Sequence, residues 1–212
     1  MNPAREALED EGPQRVGVLV AHPDDETLWA GGLLLSRPTW SVTIVTLCRG
    51  GDPDRAPRFR RALACLGAQG AMGDLDDGPG QVPLPGALVE ETLRSLLPGG
   101  RFDLLLTHAP EGEYTRHRRH EEMARAVRSL WRRGVLDAGS LWHFAYEDDG
   151  RAGLPGPRPH SEVLLPLGDA LWARKRALIT DVYGFSPASW EARAAPRVEA
   201  FNRLSDKDGC RP

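Results

Sequence analysis

Short, β-branched apolar runs alternate with longer stretches of helical periodicity along this chain, and that alternation limits the possible folds most. RVGVLV (15–20), SVTIVTL (41–47) and FDLLLT (102–107) are brief, bounded by polar turns and rich in Val, Ile and Leu, the pattern of buried strands. LWHFAY (141–146) and SEVLLPL (161–167) read as two further strands. Helices are expected near 26–36, 55–67, 86–97, 119–133 and 169–180, the last with Asp169 as its N-cap. Strands alternating with helices imply an α/β fold with a mainly parallel sheet and right-handed crossovers. The 212 residues suit a single domain spanning 1–212, with the polar stretch 1–14 expected to be a poorly ordered extension.

Charge and composition exclude several classes of function. With 27 basic against 30 acidic residues, the net charge of -3 gives no electrostatic case for nucleic acid or an anionic membrane. No apolar run approaches the roughly 20 residues that span a bilayer, and the polar start has no signal-peptide core. Cys48, Cys65 and Cys210 are an odd number, widely spaced, and form no C-x-x-C motif. A reducing, cytoplasmic compartment is expected.

In open α/β sheets ligands bind beyond the carboxyl ends of the strands. Two polar clusters fall there. AHPDDETLWAGG (21–32) follows the first strand and places His22, Asp24, Asp25 and Glu26 together. THAPEGEYTRHRRHEE (107–122) follows 102–107 and carries His117 and His120. Gly31-Gly32 is not a dinucleotide fingerprint, and no phosphate-binding G-x-x-x-x-G-K-[ST] exists in the chain. His22 and Asp25 are close enough in a turn to reach one ion. If a helix begins near Arg118 or Arg119, His120 lies in its first turn, where the helix dipole favours a neutral imidazole, and Met123, Val127, Leu130 and Trp131 form its apolar face. Two nitrogens, one carboxylate and an open position make a catalytic zinc pattern, in which bound water ionises at about pH 7 and a neighbouring carboxylate acts as base. Each motif also has an ordinary reading: Asp24-Asp25 as a solvated turn or helix cap, and RHRRH as a solvated basic stretch. Crowding these charges costs desolvation and repulsion unless a cation or donors offset it.

AHPDDE followed by GG, a strand ending TLCRGG and a later H-x-x-H resemble the PIG-L/LmbE family of metal-dependent N-deacetylases, over about residues 16–183. The resemblance implies a Rossmann-like three-layer α/β/α fold, a Zn2+ ion (Fe2+ could take the same ligands) and removal of acetyl from an N-acetylglucosamine-type conjugate. It implies His22, Asp25 and His120 as metal ligands, Asp24 as general base, and His117 as the group that stabilises the oxyanion or protonates the leaving amine. More loosely it places Arg55 and Asp77 at substrate-contacting positions. Arg49 and Tyr114 join them as candidate substrate contacts. KRALITDVYG (175–184) resembles a structural Lys-helix-Tyr segment, and Glu26 is expected to cap the first helix.

The chain departs from the family where Arg118 and Arg119 replace a Pro-Asp between the histidines, so an acid at that position is lost and the ligand's orientation must come from elsewhere. Tyr114 stands three residues before His117 rather than two. The arginines at 49, 55, 116, 118 and 119 are expected either as solvated charge or as a cleft that binds an anionic part of the substrate. Three readings remain open: a deacetylase of an amino sugar, an amidase on a thiol conjugate or other small amide, and a non-catalytic sugar-binding relative.

Overall fold

A computed structural model describes residues 12–114, 116–148 and 153–204. Residues 1–11 of the expected extension and Cys210 lie outside the described residues. The strands are β1 (Arg15–Val20), β2 (Ser41–Cys48), β3 (Gln69–Leu75), β4 (Phe102–Thr107), β5 (Ala138–Phe144), β6 (Tyr146–Asp148), β7 (Pro155–Pro157), β8 (Val163–Pro166) and β9 (Val198–Leu204). The helices are α1 (Asp25–Leu35), α2 (Arg55–Leu66), α3 (Gly86–Leu96), α4 (Arg118–Arg132), α5 (Asp169–Ala177) and α6 (Trp190–Ala194).

Seven strands form one sheet in the order β3-β2-β1-β4-β5-β9-β8. The first five are parallel neighbours, whereas β9 runs antiparallel to both β5 and β8. Alternate residues of β1 explain the layers. Val16, Val18 and Val20 pack with Trp29, Leu33 and Phe59 of α1 and α2, while Leu19 packs with Leu93, Val127 and Leu130 of α3 and α4 on the other face. The result is a three-layer α/β/α arrangement. The order reverses between β1 and β4, so both emerge side by side at a topological switch point.

Several elements differ from expectation for identifiable reasons. β3 is an edge strand, QGAMGDL, whose glycines let it lie against β2: a Cβ on Gly70 or Gly73 would meet the backbone oxygens of Ile44 or Leu47 at 2.4 and 2.5 Å. β9 hides in VEAFNRL because a buried charge, Glu199, breaks its apolar pattern. The run 141–146 is two strands. Ala145 interrupts it by donating its N–H to Ala200 and accepting from Arg158. The last long helix is α5 followed by a π-helical turn, Leu178–Val182. Its N-cap is Gly168; Asp169 is the first helical residue and pairs with Arg197 at 2.7 Å instead. No helix among the described residues is long and apolar enough to cross a membrane.

Gly32 has a packing role. A Cβ there would sit 2.5 Å from Leu167 and 3.0 Å from the Glu199 carboxylate, so only glycine admits both against α1.

Candidate functional site

The switch point gathers side chains from four strand ends. β1 runs into His22, Asp24 and Asp25, β2 into Arg49, β3 into Asp77, and β4 into His108. His117 occupies the N-cap of α4 with an extended backbone, and His120 follows in the first turn. A cavity of about 300 Å³ opens over them, walled by Leu28, Arg55, Tyr114, Trp190 and Glu191 among others.

Three atoms form its floor. The Asp25 Oδ2 lies 3.3 Å from His22 Nδ1 and 3.4 Å from His120 Nε2, and the two nitrogens are 3.3 Å apart. Tetrahedral zinc with bonds of about 2.0–2.1 Å requires donors about 3.3 Å apart. The spacing fits one face of such a site. Other donor groupings within 4.8 Å are His22–His117–His120, His22–Cys48–Asp77 and Asp25–His108–His120. Two of these are chemically weaker. Burial, then the Asp77 charge, pushes the Cys48 thiol up to about 12, away from thiolate. His108 Nε2 also lies 3.4 Å from Asp25 Oδ2, but its lone pair is claimed by the nearer Ala21 N–H at 2.9 Å.

Electrostatics differ sharply across a few ångströms. Burial alone would lower the His22 pKa, but hydrogen bonds to Asp25 and Asp77 raise it to about 10. The carboxylates of Asp25 and Asp77 thus favour positive charge at His22. Burial, then neighbouring imidazoles, lowers His117 to about 4, and burial with His108 lowers His120. The neutrality expected of His120 thus comes mainly from burial. His117 Nδ1 is buried without a hydrogen-bond partner among the described residues. Burial, then repulsion from Asp25, raises the Asp24 carboxyl well above the usual range, against the pull of Arg55. Asp24 also carries φ 119, a conformation that costs a non-glycine residue about 1–3 kcal/mol and clusters at functional sites. The Glu26 carboxylate accepts the Asp24 N–H at 3.1 Å, reaching back across the helix start, and also accepts Tyr183 Oη–H at 2.6 Å.

Of the looser candidates, Asp77 holds His22 Nε2 at 3.1 Å and receives Arg49 at 2.8 Å. Arg55 pairs with Asp24 at 3.2 Å and lies over the Phe185 ring. Tyr114 stacks on Trp190, 4.7 Å between centroids. The arginines of the H-R-R-H run do not form an anion cleft. Arg116 is exposed beside Glu121, and Arg118 is exposed and absent from the cavity wall. Arg119 is wholly buried: it donates to the Asp76 and Val82 carbonyls and pairs with Glu122 at 2.6 Å. It straps the 76–82 segment, which bears Asp77, onto α4.

Sequence reasoning missed His108, Glu113 and Trp190. His108 was marked by its place, immediately after β4, as His22 is after β1. Glu113 accepts from His108 Nδ1 at 2.8 Å and from His120 Nδ1 at 2.6 Å. Burial opposes its charge, yet the two imidazoles hold it down at about 2.

Fold and site define a class: an α/β protein whose strand ends offer clustered nitrogen and oxygen donors that could hold a metal ion. Solved structures share this fold. The chain is similar to the N,N'-diacetylchitobiose deacetylase of Pyrococcus horikoshii (15% identity, TM-score 0.65, covering 90% of this chain and 84% of that one). It is similar to a deacetylase of the teicoplanin biosynthesis pathway, solved with teicoplanin (13%, 0.58, 91% and 100%). It is also similar to GalB, the 4-carboxy-2-hydroxymuconate hydratase of Pseudomonas putida KT2440 (14%, 0.57, 91% and 96%). No protein-family model and no curated protein matches the chain.

Proposed function

We propose that the protein is a metal-dependent hydrolase that removes acetate from an N-acetylated amino sugar. The observation that carries this reading is the spacing of His22 Nδ1, Asp25 Oδ2 and His120 Nε2, 3.3–3.4 Å apart, beside a half-buried carboxylate, Asp24. These three residues would hold the ion, zinc or Fe(II), which when bound supplies Lewis-acid polarisation of the amide carbonyl. Asp24, its proton affinity raised by burial, takes a proton from the attacking water as the C–O bond forms. That proton passes to the leaving nitrogen as the C–N bond breaks, giving acetate and a free amine. His117, neutral at physiological pH, is suited to donate a hydrogen bond to the developing oxyanion rather than to serve as the acid.

A sugar is favoured by the cavity, whose lining combines the stacked Tyr114–Trp190 pair with polar acids such as Asp77. Two structural neighbours are named as deacetylases, one of diacetylchitobiose and one in teicoplanin biosynthesis. Arg49 and Arg55 are committed to Asp77, Asp52 and Asp24, so a neutral glycoside suits the site better than an anionic one. The hydratase neighbour supports a second reading, since the same fold there carries water addition. A reducing compartment suits Cys48 and Cys65, neither of which is disulfide-bonded.

The test is acetate release from a panel of neutral and anionic N-acetylated sugars, with metal-depleted and zinc-reloaded protein. Release that depends on metal and is strongest for neutral sugars is expected. No release from any amide, with water addition to an unsaturated carboxylate instead, would replace this reading by the hydratase one.

A further inference from the structure

A nearly enclosed carboxylate sits beside the donor cluster, at the inner edge of the cavity lining. Glu113 is about 2% exposed, and its two oxygens are divided between two imidazoles. Oε1 accepts from His108 Nδ1 at 2.8 Å and from the Ala109 N–H at 3.3 Å; Oε2 accepts from His120 Nδ1 at 2.6 Å. The rings of His108 and His120 stack, 3.9 Å between centroids.

The protons follow from the partners. His108 Nε2 lies 2.9 Å from the Ala21 N–H and 3.4 Å from Asp25 Oδ2; the shorter contact, from a fixed backbone donor, requires a lone pair there, so the His108 proton is on Nδ1 and goes to Glu113. Oε1 accepts two N–H groups, the pattern of a carboxylate, and Oε2 accepts in the same way, so His120 also donates from Nδ1. That leaves His120 Nε2 with its lone pair directed at the point shared with His22 Nδ1 and Asp25 Oδ2. A metal-ligating imidazole is commonly fixed in this way by a carboxylate on its other nitrogen.

We propose that Glu113 is the positioning residue of the candidate metal centre, selecting the His120 tautomer that offers Nε2 to the ion, with His108 as a buttress locked by the Ala21 amide. This rests on the reading of His22, Asp25 and His120 as metal ligands. It supplies the orienting acid that the chain lacks between its two histidines, where Arg118 and Arg119 stand.

Glu113→Gln separates the role from simple packing, because the shapes match and only the proton pattern changes. His108 Nδ1–H and the Ala109 N–H claim the carboxamide oxygen. The NH2 then faces His120 Nδ1 and forces the proton to Nε2, where it blocks the ion. Long-range ¹⁵N–¹H spectra of the histidine rings in the metal-free protein should show Nδ1–H for His120 in wild type and Nε2–H in Glu113→Gln. Zinc affinity, read by competition with a chromophoric chelator, should fall roughly 10–100-fold in the variant. A variant with unchanged affinity and tautomer overturns the proposal. So does Nε2–H at His120 in the wild type, a measurement that needs no variant to fold. If wild-type protein binds no divalent ion, the metal reading fails on its own, and the tautomer spectra still decide what Glu113 does.

Discussion

Two buried charged clusters flank helix α1, and they are built to opposite ends. Beneath its second half, Glu199 is fully enclosed and receives three donors, the Gly32 N–H, the Leu33 N–H and Lys175 Nζ, each at 2.7 Å. Lys175 is equally enclosed. Beyond its first turn, His22, Asp25 and His120 turn three heteroatoms toward one another at 3.3–3.4 Å, with their outer faces held by Asp77 and Glu113. The first cluster is closed: both Glu199 oxygens accept hydrogens and both charged side chains are fully enclosed. The second is satisfied on its outside and open on its inside. Burial and charge are common to both, so neither marks a site. The distinction lies in whether nitrogen and oxygen atoms of several side chains converge on one point at the wall of a cavity.

The largest expected effect falls on the open cluster. Asp24→Asn should keep the bound metal and the fold but lower turnover by on the order of 10²–10⁴, the usual worth of a positioned base. Metal content and kcat on the same preparation are the check. A metal-loaded, fully active Asn variant would mean that the open cluster does not use Asp24 as its base.

The closed cluster should answer in stability instead. Lys175→Met strands the Glu199 charge with only two backbone donors, which costs about 3–5 kcal/mol for a broken buried pair. Adding Glu199→Gln should recover part of that loss, because the stranded charge is gone. Urea unfolding of the three proteins measures it, and turnover per folded molecule should stay at the wild-type level. A selective loss of turnover in Lys175→Met would show that the closed cluster is coupled to the site after all.

This contrast also explains what could be read from the chain. The parallel strands were legible because β1, β2 and β4 are buried on both faces and so are continuously apolar. β3 and β9 were not, since one depends on glycines at an edge and the other carries Glu199 inward. His22, Asp25 and His120 stood out by their motif and by their place at strand ends. Glu113 did not, because its role is set by two imidazoles five and seven residues away that only the α4 turn brings to its oxygens. Arg119 was misjudged for a related reason. A run of basic residues reads as one surface, but a helix start sends alternate members in different directions, and Arg119 points inward.

The smallest effect tests whether a missing partner alone makes a site. His143 on β5 is buried, its Nε2 has no hydrogen-bond partner among the described residues, and it belongs to neither cluster. Burial, then the Arg128 charge, lowers its pKa from 6.5 to about 4. The folded protein therefore binds fewer protons than the unfolded chain between those values. Stability from this residue is full above pH 6.5 and is lost as the pH falls toward 4, by about 1 kcal/mol at pH 5.5. His143→Phe removes the titration, so its unfolding free energy should drop less than that of wild type between pH 7.5 and 5.5. Activity at pH 7.5 should not change, because a single orphaned nitrogen without converging neighbours offers nothing to a ligand. Equal losses in both proteins would place the acid sensitivity elsewhere, whereas a loss of activity at pH 7.5 would mean that an isolated, unsatisfied imidazole can belong to a working site without a second donor beside it.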